Sequence, residues 1–184
     1  MKYKSHKKIG LFGGTFNPVH LGHLKMAAAA RKEYKLDVVY FIPCGIPPHK
    51  PKKDLLPAKK RFKLVQKAIK GEKHFKLLDI EIKKKKPCYT IDTMHEILVG
   101  VSHDQHLQLY FLIGQDEFEK LHTWKKLDEL AKMVIFLVLP RFSKICKGKH
   151  IGLPKVKNLK WFKVHTKPIN ISSTEIRKQQ QKLH

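Results

Sequence analysis

Apolar residues recur along the chain in two rhythms, short strand-like runs and longer stretches at helical spacing, and the two alternate from one end to the other. Lys8-Ile9-Gly10-Leu11-Phe12 reads as a buried strand, and Leu24 to Tyr34, with its alanine run Ala27 to Ala30, reads as a helix. Val38 to Pro43 is the next strand. Pro57 to Lys70 mixes apolar and basic residues at helical spacing, with Phe62, Val65 and Ile69 on one side. The pattern continues with a strand over Leu77 to Ile82, a helix over Thr90 to Val99, and a strand over Leu107 to Ile113. A short helix over Trp124 to Ala131 and two strands, Met133 to Leu139 and Leu159 to Val164, complete it. Strands alternating with helices predict an α/β fold, a Rossmann-like three-layer sandwich with a parallel sheet, and ligands at the carboxyl ends of the strands. There is no internal repeat and no linker rich in small residues, so residues 1–184 are expected to form a single domain.

The junction after the first strand carries the densest chemistry: Gly13-Gly14-Thr15-Phe16-Asn17-Pro18-Val19-His20-Leu21-Gly22-His23. Glycines at such a turn let backbone amides approach an anion, and the free amides of a helix's first turn add positive potential. Histidines at i and i+3 share a helix face, so both rings can address one phosphate. Near the far end, Ile171-Ser172-Ser173-Thr174-Glu175-Ile176-Arg177 repeats the theme. Ser172 with Glu175 three residues later makes a capping box, so a helix is expected to begin there. Ser173, Thr174 and Arg177 add hydroxyls and a forked cation suited to phosphate oxygens.

Taken singly, each segment has a plainer reading as a turn, a capped helix or a core aromatic. Together they resemble the H-x-G-H and I-S-S-T-x-I-R motifs of the nucleotidyltransferase superfamily. Between them, Pro47-Pro48-His49-Lys50, Pro87-Cys88-Tyr89-Thr90, Gly114-Gln115-Asp116 and Thr123-Trp124 stand in the order and approximate spacing of the nicotinate mononucleotide adenylyltransferases. The resemblance runs from Ile9 to Arg177.

That resemblance implies an enzyme transferring the adenylyl group of ATP to nicotinate mononucleotide, giving nicotinate adenine dinucleotide and pyrophosphate in NAD biosynthesis. It implies His20 and His23 as the catalytic pair. Gly13, Gly14, Thr15, Phe16, Gly22, Gly114, Asp116, Ile171, Ser172, Ser173, Thr174 and Arg177 would bind ATP, and Lys50, Thr90, Trp124 and Lys125 would bind the mononucleotide. Magnesium would arrive as Mg-ATP, with no dedicated protein metal site. The chain departs from the family in three places: only seven residues follow Arg177, Arg141 follows Pro140 instead of preceding a proline, and a lysine follows Trp124. The first leaves open packing and homo-oligomer formation at that end.

Charge and composition change this picture little. The formal net charge is +24 and the isoelectric point near 10.0, which ordinarily suggests a polyanionic partner. Of 39 basic residues, however, only Arg31, Arg61, Arg141 and Arg177 are arginine. Lysine suits solvated faces, whereas base recognition favours arginine, so no specific nucleic-acid partner is expected. Lys83 to Lys86 reads as an exposed loop. No window approaches the roughly 20 apolar residues of a membrane span and no secretory signal is legible, so the expected location is the cytoplasm, with no membrane partner. Cys44, Cys88 and Cys146 are far apart and lack C-x-x-C spacing, so free thiols are expected, with neither a disulfide framework nor zinc. His103-Asp104-Gln105-His106 reads as a solvated loop.

Two other classes share parts of the pattern. A phosphopantetheine adenylyltransferase or a cytidylyltransferase would have similar phosphate-binding ends, but neither accounts for Pro47-Pro48-His49-Lys50 together with Trp124. A basic nucleic-acid-binding module on a degenerate nucleotide fold would account for the charge. It would not account for two intact phosphate motifs without an aromatic and arginine-rich surface.

Overall fold

The computed structural model describes residues 7–48, 55–101, 107–140, 156–166, 171 and 173–181. In chain order the elements are β1 (Lys7–Gly14), α1 (Leu21–Tyr34), β2 (Val38–Pro43), α2 (Ala58–Ala68), β3 (Phe75–Leu77) and α3 (Thr90–Val101). There follow β4 (Leu107–Gly114), α4 (Gln115–Phe118), a 3₁₀ turn (Leu121–Thr123), α5 (Leu127–Met133), β5 (Ile135–Leu139), β6 (Trp161–Lys163) and α6 (Ser173–Gln181). The strands form one parallel sheet in the order β3-β2-β1-β4-β5-β6. The expected parallel α/β sandwich is therefore present.

The sheet is covered on both faces because neighbouring residues of its strands enter different cores. Leu11, Val38, Ile42 and Phe111 pack with Ile91 and Met94 of α3 and Leu130 of α5 on one side. Phe12, Val39, Phe41 and Leu112 pack with Ala27 and Ala30 of α1 and Val65 of α2 on the other. The alanine run lets α1 lie close to the sheet: Ala27 and Ala30 have no exposed surface. Chain order reverses between β1 and β4. Connections leave the sheet in opposite directions at that point, which opens a crevice at the carboxyl ends of these two strands.

Two expected elements differ. The strand expected over Leu77 to Ile82 is confined to Phe75–Leu77. Beyond Leu78, whose N–H still reaches the Phe41 carbonyl, the chain turns, with the Ile82 N–H donating to the Asp79 carbonyl at 3.0 Å. Alternating aliphatic and acidic residues imitate a strand here, but Glu81 faces inward and is 7 % exposed. The helix expected from Trp124 instead begins at Leu127, because Trp124 ends the 3₁₀ turn in an extended conformation and Lys126 is left-handed. Within the lysine run, Lys84 is largely covered and pairs with Glu96 at 2.5 Å, while Lys83, Lys85 and Lys86 are exposed as expected.

Candidate active site at the carboxyl edge of β1 and β4

The β1–α1 connection is shaped by tight backbone contacts. A Cβ at Gly13 would lie 3.1 Å from the Phe111 ring, and one at Gly14 would lie 3.1 Å from the Phe16 ring. Phe16 has a positive φ of 46°, an uncommon conformation for a bulky residue, and its side chain is buried against Phe12 and His23. What Phe16 offers a ligand is therefore backbone. The Asn17–Pro18 peptide is cis, and His20 caps α1 in an extended conformation.

The two histidine rings lie against each other, with centroids 3.8 Å apart and planes tilted by 38°. The His20 backbone N–H donates to Nδ1 of His23 at 3.2 Å. A ring nitrogen that accepts carries no proton, so Nε2 is left as the hydrogen-bearing nitrogen of a neutral His23. Gly22 is required between them: a Cβ there would come within 2.9 Å of the His20 ring and 3.8 Å of the Ile171 carbonyl. The second motif is thus folded against the first. Ser173 Oγ donates to the Pro18 carbonyl at 2.9 Å, and Arg177 donates to the Asn17 carbonyl at 2.7 Å and to Thr174 Oγ1 at 3.3 Å. Segments about 150 residues apart in sequence meet at one turn.

Arg61 is the residue that sequence reasoning missed. Its side chain has no exposed surface and donates to the carbonyls of Leu56 at 2.9 Å, Thr15 at 2.6 Å and Gly45 at 2.8 Å. One planar fork therefore ties the loop after β1 to the loop after β2 and to the approach to α2. Burial pulls its pKa below the ordinary arginine value, opposed by Cys44, Cys88 and Glu81, and it remains a cation. Asn17 adds a second tie, its Oδ1 accepting from the Leu56 N–H at 2.9 Å.

Beside this turn lies a cavity of about 190 Å³, lined by Gly13 to Thr15, the loop after β2, the start of α3, the end of β4 and Trp124. Thr90, Trp124 and Lys125 of the expected mononucleotide residues line it, together with Gly13, Gly14, Thr15 and Gly114 of the expected ATP set. Trp124 is half-buried and stands edge-on to Phe111, with centroids 5.8 Å apart, so the indole belongs to both core and cavity. Lys125 is less available than its charge suggests, lying 3.7 Å from Asp92 and over the Tyr89 ring. Asp116 folds back towards the end of β4, its Oδ1 2.8 Å from where a Gly114 Cβ would stand. Lys50 and Ser172 lie outside the described residues, as do Arg141, Cys146 and the His103–His106 segment.

The cavity floor holds a cluster that sequence spacing does not reveal. Cys44, Glu81 and Cys88 bring two sulfurs and a carboxylate oxygen within 4.8 Å of one another. A Cβ at Gly45 would collide with the Glu81 carbonyl, so glycine alone permits this approach of the two loops. The Cys88 N–H donates to the Ile46 carbonyl at 2.9 Å, and Thr93 Oγ1 donates to Glu81 Oε1 at 2.8 Å. Burial pushes the Glu81 carboxyl up to about 7, against the Thr93 hydrogen bond. A hydrogen bond from Cys44 pulls the Cys88 thiol down to about 6 and pushes Cys44 itself up, as expected of two sulfurs sharing one proton.

Against known proteins, residues 11–179 match the family model described as cytidylyltransferase-like, which defines the class: a nucleotidyltransferase built on a parallel α/β sheet. The sequence is 40 % identical over 171 residues to a probable nicotinate-nucleotide adenylyltransferase of Shouchella clausii, covering 93 % of this chain and 83 % of that protein. A relative of the same description from Caldicellulosiruptor bescii is 39 % identical over 173 residues, covering 93 % and 85 %. The chain belongs to the nicotinate-nucleotide adenylyltransferase family. The fold resembles the Plasmodium falciparum nicotinic acid mononucleotide adenylyltransferase complexed with NaAD, with a TM-score of 0.74 at 19 % identity over 94 % of this chain and 83 % of that one. Among the described residues, no helix is long and apolar enough to cross a membrane.

Proposed function

We propose that this chain joins ATP to nicotinate mononucleotide, releasing pyrophosphate and forming nicotinate adenine dinucleotide. The observation that carries the reading is the meeting of the two terminal motifs at the β1–α1 turn, beside a cavity walled by Trp124. An oxygen of the acceptor's phosphate attacks the α-phosphorus of ATP. That P–O bond forms as the bond from the α-phosphorus to the bridging oxygen breaks, and the electron pair leaves with pyrophosphate. No group of the protein is bonded covalently to substrate. Its work is alignment and stabilisation of the charge that grows on the α-phosphate oxygens and the leaving group.

His20 and His23 are assigned to that charge. Thr15 and the amides near Gly13 and Gly14 seat the phosphates, while Ser173, Thr174 and Arg177 hold the β and γ groups. Ser173 and Arg177 already donate to loop carbonyls, so they also keep the turn in shape. Magnesium would enter with ATP as part of the substrate, a hard cation that would neutralise phosphate charge without a dedicated protein site. Trp124 stacks on the pyridine ring, and the amide-rich start of α3 at Thr90 favours the carboxylate of the nicotinate over a neutral amide.

The test is to incubate purified protein with Mg-ATP and separate acceptors: nicotinate mononucleotide, nicotinamide mononucleotide and phosphopantetheine. Pyrophosphate and the dinucleotide product are then measured. Nicotinate mononucleotide is expected to lead, with kcat/KM at least about tenfold above the amide, or roughly 1.4 kcal/mol. Parity with the amide would remove the carboxylate pocket. Turnover of phosphopantetheine alone would remove the acceptor assignment.

A further inference from the structure

We propose that Cys44, Glu81 and Cys88 form a binding site for a thiophilic divalent cation, Zn²⁺ in the first instance, whose fourth coordination position opens into the cavity. Two sulfurs and one carboxylate oxygen lie mutually within 4.8 Å. A tetrahedral ion with Zn–S bonds near 2.3 Å spaces its sulfurs about 3.8 Å apart, so closure around a metal needs shifts of about 1 Å or less. The three ligands come from three places that the fold holds together: the loop after β2, the turn after β3, and the residue two before α3. Contact between the Gly45 and Glu81 backbones and the Cys88 N–H to Ile46 carbonyl bond fix these loops against each other. The ligand set is therefore positioned in advance.

The chemistry of the donors selects the ion. Thiolates favour zinc and its soft or borderline relatives, whereas magnesium requires oxygen ligands and keeps its waters. The Thr93 hydroxyl bonded to Glu81 Oε1 orients the carboxylate, as outer partners of metal ligands commonly do. Charge is balanced nearby. Two thiolates, a carboxylate and Zn²⁺ sum to −1, and they sit in the fields of Arg61, which acts on all three ligands, and Lys84, which acts on Glu81 and Cys88. Both Zn–S bonds form to thiolate sulfur, and the one proton that the two sulfurs share passes to solvent. All three ligand residues line the cavity, so the remaining coordination position accepts water or an anion there.

The chain has 12 histidines, so zinc stoichiometry alone would not locate the site and the readout must be specific for thiolate. Metal-free full-length protein, kept reduced, is titrated with Co²⁺ and then Zn²⁺ in excess Mg²⁺. One equivalent of Co²⁺ is expected to give thiolate-to-cobalt charge-transfer absorption that Zn²⁺ abolishes, with a zinc Kd of about 1 µM or tighter. Cys44→Ser and Cys88→Ser should each weaken binding at least a hundredfold, and Glu81→Gln about tenfold, while Cys146→Ser retains the band. Alkylation mapped by mass spectrometry on the unmutated protein adds a measurement independent of variant folding. One equivalent of Zn²⁺ should protect Cys44 and Cys88 and spare Cys146 no modification. Absence of the charge-transfer band, its loss in Cys146→Ser, displacement of the metal by Mg²⁺, or alkylation of Cys44 and Cys88 unchanged by zinc would each overturn the proposal.

Discussion

The β1–α1 turn and the cavity beside it share one edge of the sheet, yet they are assembled in opposite ways. The turn is a single run of eleven residues, Gly13 to His23, shaped by its own glycines and the His20–His23 ring contact and braced from outside by Ser173 and Arg177. The cavity takes its walls from six separate stretches, joined only once the sheet has formed. Their electrostatics differ as well. The turn is approached by Arg177 and Ser173, while the cavity floor carries a buried carboxyl and two sulfurs in a chain of net charge +24. A local motif tolerates rearrangement elsewhere, whereas a composite wall depends on whatever ties its loops together. Arg61 is that tie, and it serves both regions.

The largest expected effect therefore comes from Arg61→Ala. It leaves the carbonyls of Thr15, Gly45 and Leu56 without their charged donor and creates a cavity where no surface was exposed. Hydrogen bonds from a buried cation are strong, and loss of the set should cost about 3 to 5 kcal/mol, lowering Tm by roughly 10 °C. Arg61→Lys should recover little, because a single ammonium cannot span three divergent carbonyls. Thermal unfolding checks the first part. An Arg61→Lys variant with normal stability and normal KM for both substrates would separate the two regions that we regard as joined.

His23→Ala sharpens the comparison from the turn's side. Loss of one preorganised donor at a developing charge should lower kcat by about a hundredfold or more. The helix cap it shares with the His20 N–H adds only about 1 kcal/mol of destabilisation. The mononucleotide KM should barely move. A folded variant with near-normal turnover would refute the role of the pair.

Legibility in the sequence follows the same division. The turn was visible because its signals, paired glycines and histidines at i and i+3, are local. The strand over Val38 to Pro43 agrees residue for residue with the structure, since a run buried on both faces is apolar throughout. Arg61 was hidden among 39 cations, yet it stands four residues before Val65 on the inward stripe of α2 and is the one arginine among the lysines that open that helix. That spacing could have exposed it. The Cys44, Glu81 and Cys88 cluster offered no comparable signal. Its members lie on different elements, and Glu81 sits in a stretch whose alternation mimics a strand.

Trp124→Ala probes the cavity's side and should be milder than His23→Ala. Removing an aromatic stack is worth roughly 1 to 3 kcal/mol, so KM for nicotinate mononucleotide should rise about 5- to 150-fold while KM for ATP changes little. Because the indole also stands edge-on to Phe111, some stability will be lost too. Trp124→Phe separates the effects, restoring most of the mononucleotide affinity by retaining an aromatic face. Equal rises in both KM values would assign the residue to the core alone.

The smallest effect lies away from both regions, where Glu33 at the far end of α1 holds His165 just past β6. The His165 backbone N–H lies 2.8 Å from one carboxylate oxygen of Glu33, and its ring nitrogen lies 2.7 Å from the other. Burial works to raise the Glu33 pKa, but the bonds with His165 prevail and hold it below the ordinary carboxylate value. A depressed folded pKa means that the unfolded chain takes up the proton first as pH falls. The contribution is therefore complete above about pH 5 and disappears as acid titrates the folded carboxylate. His165 is largely exposed, so the pair should contribute less than about 1 kcal/mol, a Tm change of a few degrees at most, reduced further by salt. Glu33→Gln should accordingly unfold slightly earlier than the unmodified chain at pH 7, by a margin that shrinks as the pH falls below the ordinary carboxylate range, with kcat and both KM values unchanged. A stability difference that persisted undiminished at pH 3 would show that the carboxylate's charge is not what holds β6 to α1, and that packing of Tyr34, whose hydroxyl reaches the Lys163 carbonyl at 2.8 Å, does so instead.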